Sequence, residues 1–181
     1  MLFRSLLEGV PGLGKTLLAR ALAEAELDRF LVKLDLAYPE EAEYRKILEL
    51  TTGTEEARVR PVCSGSDVLE MRRICRMVFA GESAQRHAVK LVMATQPGSK
   101  YATKATAENL LRGAGPRAAQ ALVLMGKVYA LVDGRAAVGE ADIDRAALPV
   151  LRHRVALSFG SRMKGVGVDG VLENIMAELR N

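Results

Sequence analysis

Eight residues near the start constrain this chain more than any other stretch: Gly9-Val10-Pro11-Gly12-Leu13-Gly14-Lys15-Thr16 fits the pattern G-x-x-x-x-G-K-[ST]. Residues 2–7 form a short apolar run that reads as a buried strand, and residues 15–26 are rich in Ala and Leu at helical spacing. Strand, glycine loop and helix in that order let backbone N–H groups curl around a phosphate at a helix N-terminus. Gly9, Pro11, Gly12, Leu13, Gly14, Lys15, Thr16 and Leu17 are therefore expected to hold a nucleotide. Lys15 adds a point charge and Thr16 a hydroxyl for Mg2+, so ATP with Mg2+ is the expected ligand pair.

Residues 29–36 (RFLVKLDL) alternate well enough to predict a second strand, which Tyr38-Pro39 ends. The start then reads as one βαβ unit. From Glu40 onward the spacing predicts helices over 40–50, 66–78, 83–95, 105–112, 116–132 and 141–150, and no further strand is needed. Ser66 and Ser83 stand where N-caps belong, and Gly53, Gly81, Gly98 and Gly134 mark the joints. A glycine-rich, mobile stretch is expected after Phe159, before a short helix over 171–179. The expected fold class is an α/β remnant plus an all-α bundle, mainly helical, divided into 1–37, 38–159 and a flexible 160–181.

Composition narrows the function classes. Apolar residues make up 49% with no Trp, four Phe and four Tyr, so packing must rest on aliphatic helices. A net charge of +4 is mild. Arg58, Arg60, Arg72, Arg73, Arg76 and Arg86 make the middle basic, but acidic residues intersperse and no aromatics interleave for stacking on bases, which argues against nucleic acid. Cys63 and Cys75 show neither a disulfide framework nor a zinc spacing, pointing to a reducing, cytoplasmic setting. The first residues do not suit a secretory signal, and no run reaches the roughly 20 apolar residues of a membrane span. His87 and His153 lack ligand spacing and read as structural, and Met71, Met77, Met93 and Met125 read as core fillers.

The stretch from Leu6 through the glycine loop to Leu17-Leu18-Ala19-Arg20 resembles the P-loop of MoxR-type AAA+ ATPases. Leu27-Asp28-Arg29-Phe30, Tyr38-Pro39 and Glu43 are similar to that family's passage from ATPase core to lid. Its lid signature is resembled by Gly113-Ala114-Gly115-Pro116-Arg117-Ala118, Gly134-Arg135, Ala141-Asp142-Ile143 and Pro149-Val150-Leu151-Arg152-His153-Arg154. The resemblance implies a P-loop core with a helical lid over 38–159, acting as a chaperone-like ATPase in maturation, assembly or metal loading of partner proteins. It further implies that Arg117 is the sensor-2 arginine reaching the γ-phosphate. Arg29 would be an arginine finger acting on the ATP of a neighbouring subunit, in a homo-oligomeric, hexameric ring.

Only eleven residues separate Thr16 from Asp28, where the family places several strands, the acidic Walker B pair and the sensor-1 residue. No run of apolar residues ending in Asp-Glu occurs. Asp35, at the end of Leu31-Val32-Lys33-Leu34, is the one substitute, weakened by Lys33 and by the lack of a following Glu. Hydrolysis is therefore expected to be weak or nil. The competing reading is a non-catalytic helical interaction module with a vestigial P-loop.

Overall fold

The computed structural model describes residues 27–53 and 60–180. The expected phosphate loop, with Gly9, Pro11, Gly12, Leu13, Gly14, Lys15, Thr16 and Leu17, lies outside the described residues, as do the strand and helix expected beside it. Within the described residues, helix α1 spans Glu41–Thr52, and the N–H of Glu40 donates to Glu43 Oε2 at 2.9 Å to close its first turn. Helix α2 spans Gly65–Met77. Its cap is Ser64 and not Ser66: the Asp67 N–H donates to Ser64 Oγ at 3.2 Å, and the Ser64 N–H donates to Asp67 Oδ2 at 2.7 Å. An acid three residues after a serine closes a reciprocal box, and that pairing selects Ser64. Helix α3 (Glu82–Ala94) starts at Gly81, while Ser83 turns its hydroxyl to Glu140 instead of capping.

Helices α4 (Lys104–Asn109), α5 (Pro116–Val132) and α6 (Glu140–Leu151) follow, then the short α7 (Phe159–Met163) and α8 (Val168–Arg180). Proline at the first helical position sets the start of α5 where its missing N–H costs nothing. The core lies where α3, α5, α6 and α8 meet, with Leu91, Leu122, Ile143, Leu151, Leu172 and Ile175 fully buried. Gly126 lets α6 come close to α5, since a Cβ there would stand 2.9 Å from Val138 Cγ1 and 3.1 Å from Ile143 Cδ1. The stretch expected to be mobile is built into this core. Gly165, at φ 69°, turns the chain after α7, and α8 buries Val171, Leu172 and Ile175. The Glu178 carboxylate accepts from the backbone N–H groups of Lys104 and Ala105, at 2.8 and 3.2 Å, fixing α8 to the start of α4.

Two small clips tie the bundle together. β1 (Phe79–Ala80) pairs in parallel with β3 (Ala137–Val138), and β2 (Leu110–Arg112) pairs antiparallel with β4 (Ala156–Leu157). Strands of two or three residues are too short to show a period of two, which is why no strand was expected here. The helix expected to reach residue 112 stops at Asn109 because Leu110 turns extended to meet Leu157.

The second strand expected over 29–36 is not formed. After a turn closed by the Phe30 N–H on the Leu27 carbonyl at 3.1 Å, the segment runs over the bundle, and the Lys33 N–H donates to the Pro149 carbonyl at 2.8 Å. Its alternation is genuine, but the carbonyls of Phe30 and Leu31 accept from the Arg154 side chain and not from a neighbouring strand. α1 and α2 bury no residue, so Met71 and Met77, expected as core fillers, are exposed on α2.

Candidate functional site

The site begins with a loop that has little freedom. Between β2 and α5 run Gly113, Ala114 and Gly115. The Ala114 N–H donates to Thr95 Oγ1 at 2.9 Å, and Gln96 Nε2 donates to the Ala114 carbonyl at 2.8 Å. Thr95, at the end of α3, is fully buried. A Cβ on Gly113 would fall 2.3 Å from the Thr95 carbonyl oxygen, so only glycine lets the loop lie this close. Gly115 and Pro116 then start α5, and Arg117 projects from its first turn. Arg117 is thus aimed from a rigid scaffold, with its side chain 55% exposed.

Among the described residues Arg117 makes one hydrogen bond, from Nη1 to Asp28 Oδ2 at 3.1 Å. The other carboxylate oxygen of Asp28 accepts from Arg154 Nε at 3.2 Å. Arg154 is enclosed, its side chain 2% exposed. Its Nη1 donates to the carbonyls of Leu31 and Val150, and its Nη2 to those of Asp28 and Phe30. All five guanidinium N–H donors therefore have acceptors. Burial pushes Arg154 below its ordinary value, and the Asp28 carboxylate opposes that shift. Arg154 is the residue that sequence reasoning missed. It lies in the quoted run Pro149–Arg154, but its role depends on carbonyls more than 120 residues earlier in the chain.

Arg29 occupies the exposed turn between Asp28 and Phe30, so the Arg154 cluster fixes the backbone on both sides of it. Asp35 does not end a strand. It is 73% exposed and stands 3.9 Å from Arg152 Nη1, without the strand end that a Walker B acid occupies. Arg152 also donates from Nη2 to Asp169 Oδ2 at 2.8 Å, joining this segment to the start of α8. His153 Nε2 lies 3.1 Å from the Phe30 carbonyl, so that nitrogen carries the proton, and Nδ1 is buried without a partner among the described residues. Burial, foremost, holds His153 below the usual imidazole value, and the nearby Arg154 adds to the effect. His87 is hydrogen-bonded to Asp144 Oδ1 at 2.7 Å. No group of three or more potential metal ligands occurs among the described residues.

A separate feature lies between α2 and α5: a groove of about 500 Å³ lined mainly by apolar side chains, including Leu31, Val68, Met71, Cys75 and Val128. No helix among the described residues is long and apolar enough to cross a membrane.

Residues 102–174 match the AAA lid domain family. The bundle, with its Gly-Ala-Gly-Pro-Arg loop at the start of α5, is therefore an AAA+ lid. The chain is 27% identical to the Chaperone MoxR1 of Mycobacterium tuberculosis (strain ATCC 25618 / H37Rv), over 86% of this chain and 41% of that protein. It is 28% identical to the uncharacterized protein YeaC of Bacillus subtilis (strain 168), over 88% of this chain and 47% of that one. Its fold is similar to the crystal structure of a candidate ATPase from Cytophaga hutchinsonii ATCC 33406, with a TM-score of 0.78 and 29% identity, covering 86% of this chain and 47% of the other. Together these likenesses support a MoxR-type AAA+ fragment, and the chain spans less than half the length of each of these relatives.

Proposed function

We infer that this chain binds ATP through its P-loop and reads the terminal phosphate with Arg117. The observation that supports this most directly is the mounting of Arg117: a half-exposed guanidinium on the first turn of a 17-residue helix, after a loop fixed by Thr95 and Gln96. A guanidinium fork and a helix N-terminus both favour phosphate oxygens. Lys15 and the backbone of Gly9, Pro11, Gly12, Leu13, Gly14, Thr16 and Leu17 would hold the other phosphates, and the Thr16 hydroxyl would face Mg2+. Mg2+ held there would neutralise phosphate charge. Arg29 would present its charge to nucleotide on another copy in a homo-oligomer. The biological role that fits is a chaperone-like action on protein partners in the cytoplasm. No acidic pair follows an apolar strand between Thr16 and Asp28, so hydrolysis is weak or nil.

Calorimetric titration of Mg-ATP into wild type, Lys15→Ala and Arg117→Ala chains tests this. Binding by wild type, with a loss of about tenfold or more in each variant, is expected; equal binding by all three removes the nucleotide reading. The apolar groove between α2 and α5 favours a second reading, a helical interaction module whose P-loop is vestigial. That reading expects the chain without residues 1–25 to fold and to bind its partner unchanged.

A further inference from the structure

Asp28 stands between two arginines of very different standing. Arg154 is enclosed and spends every donor on fixed acceptors, whereas Arg117 is half exposed and is held, among the described residues, by the Asp28 carboxylate alone. The two ion pairs therefore differ in how easily they part. Breaking the pair with Arg154 would strand a buried charge and disturb the donors of four carbonyls. Breaking the pair with Arg117 would cost little, because water reaches Arg117 and because Asp28 stays neutralised by Arg154. The carboxylate also sits on a post that does not move with Arg117: Arg154 grips the Asp28, Phe30 and Leu31 carbonyls as well as the side chain.

We propose that Asp28 is a built-in stand-in for phosphate, a positioning residue that holds Arg117 while the site is empty and must release it when a terminal phosphate arrives. This rests on the reading that Arg117 contacts nucleotide. The consequence is a competition. A phosphate at Arg117 would be repelled by the Asp28 carboxylate unless the guanidinium changed partners, so part of the Arg117–phosphate attraction is spent on opening the existing pair. Asp28 also immediately precedes Arg29, so the post that retains Arg117 is the one that sets the backbone of the candidate finger.

The test uses the full chain and Mg-ATP. Asp28→Asn keeps an oxygen for Arg154 Nε but removes the charge that retains Arg117. Tighter binding by about two- to fivefold is expected, the range a half-exposed ion pair can supply. The gain must vanish in Asp28→Asn/Arg117→Ala, which should bind as weakly as Arg117→Ala alone. A purely structural role for Asp28 would weaken binding in both backgrounds. Should Asp28→Asn fold poorly by circular dichroism, the carbon-13 carboxyl resonance of Asp28 in wild type gives the answer without a variant. It should shift as Mg-ATP saturates wild type and stay still in Arg117→Ala at saturating Mg-ATP. If wild type binds Mg-ATP while Asp28→Asn gains nothing and the resonance does not move, the latch is wrong and the nucleotide reading stands. If no chain binds, both fall.

Discussion

Gly113 and Thr95 are in backbone contact so close that a single methyl group does not fit between them: a Cβ on Gly113 would meet the Thr95 carbonyl oxygen at 2.3 Å and its carbonyl carbon at 2.5 Å. The neighbouring atoms are main chain, so relief requires moving the end of α3 or the loop that leads into α5. Gly113→Ala is therefore expected to cost about 2 kcal/mol, in the range for forced overpacking. For a chain of this size that lowers Tm by roughly 4–8 °C. Scanning calorimetry of the variant checks it; an unchanged Tm would mean that the loop adapts freely and that Arg117 is less rigidly aimed than described.

Removing Arg154 takes one donor each from the Asp28 carboxylate and from the carbonyls of Leu31, Val150, Asp28 and Phe30, leaving Asp28 Oδ2 to Arg117 and the Phe30 carbonyl to His153. Loss of one partner from a buried, fully bonded charge cluster costs about 3–5 kcal/mol. Arg154→Ala should show that loss in denaturant unfolding, and its residues 28–35 should exchange amide hydrogens faster, led by the Lys33 N–H that now bonds to Pro149. Arg154→Lys keeps the charge but not the planar fork, so it should rescue only a part. Full stability in Arg154→Ala would show that this segment needs no anchor.

What the sequence made legible was whatever depends on near neighbours. The helix over 116–132 was read to the residue because Pro116 fixes its start and Gly134, at φ 73°, reverses the chain just beyond it. The cap of α2 was misplaced by two residues because the box between Ser64 and Asp67 competes with Ser66 at the same turn. A period of two over 29–36 predicts a strand, yet the Phe30 and Leu31 carbonyls are claimed by Arg154, an arginine more than 120 residues away. Arg117 stands out in the sequence by its Gly-Pro-Arg setting, whereas its contact with Asp28, 89 residues earlier, has no local signal. The clips at Leu110–Arg112 and Ala137–Val138 are products of packing, visible only once α5 and α6 have met.

Asp142 lies at the start of α6, 3% exposed, where its carboxylate accepts from Arg135 Nη1 and Nη2 at 2.8 and 2.6 Å and from the Gly139 N–H at 2.8 Å. The Arg135 pair holds the Asp142 carboxyl below the usual carboxylate range, and Arg135 itself is pushed up. A depressed folded value means that Asp142 contributes its full stability above the unfolded value of about 3.9, and that the contribution fades as pH falls through the lower, folded value. Asp142→Asn should cost about 1.5–3 kcal/mol at pH 7, the range for charge-assisted bonds. The difference from wild type should shrink below pH 4. Denaturant melts at pH 7 and pH 3 check the sign; a gap that widened in acid would contradict it.

His153 supplies the opposite chemistry with the same direction in pH. Its Nε2 proton is committed to the Phe30 carbonyl, and a second proton would have to enter at Nδ1, which is buried and has no acceptor among the described residues. Burial, with Arg154 beside the ring, therefore keeps His153 neutral below its ordinary value. The unfolded chain takes up that proton near pH 6.5 and the folded chain only at lower pH, so the folded state loses stability as pH drops from about 6.5 toward the folded value. Nitrogen-15 or carbon-13 NMR titration of the imidazole should show His153 changing state at lower pH than a free histidine. His153→Phe fills the same space without a titrating nitrogen, but it leaves the Phe30 carbonyl without its ring donor. It should therefore be less stable than wild type at pH 8 and lose less on moving to pH 5.5. A wild-type chain whose stability is flat between those two pH values would show that Nδ1 finds a solvent path, and that the segment carrying Asp28 and Arg29 sits more loosely on the lid than its hydrogen bonds imply.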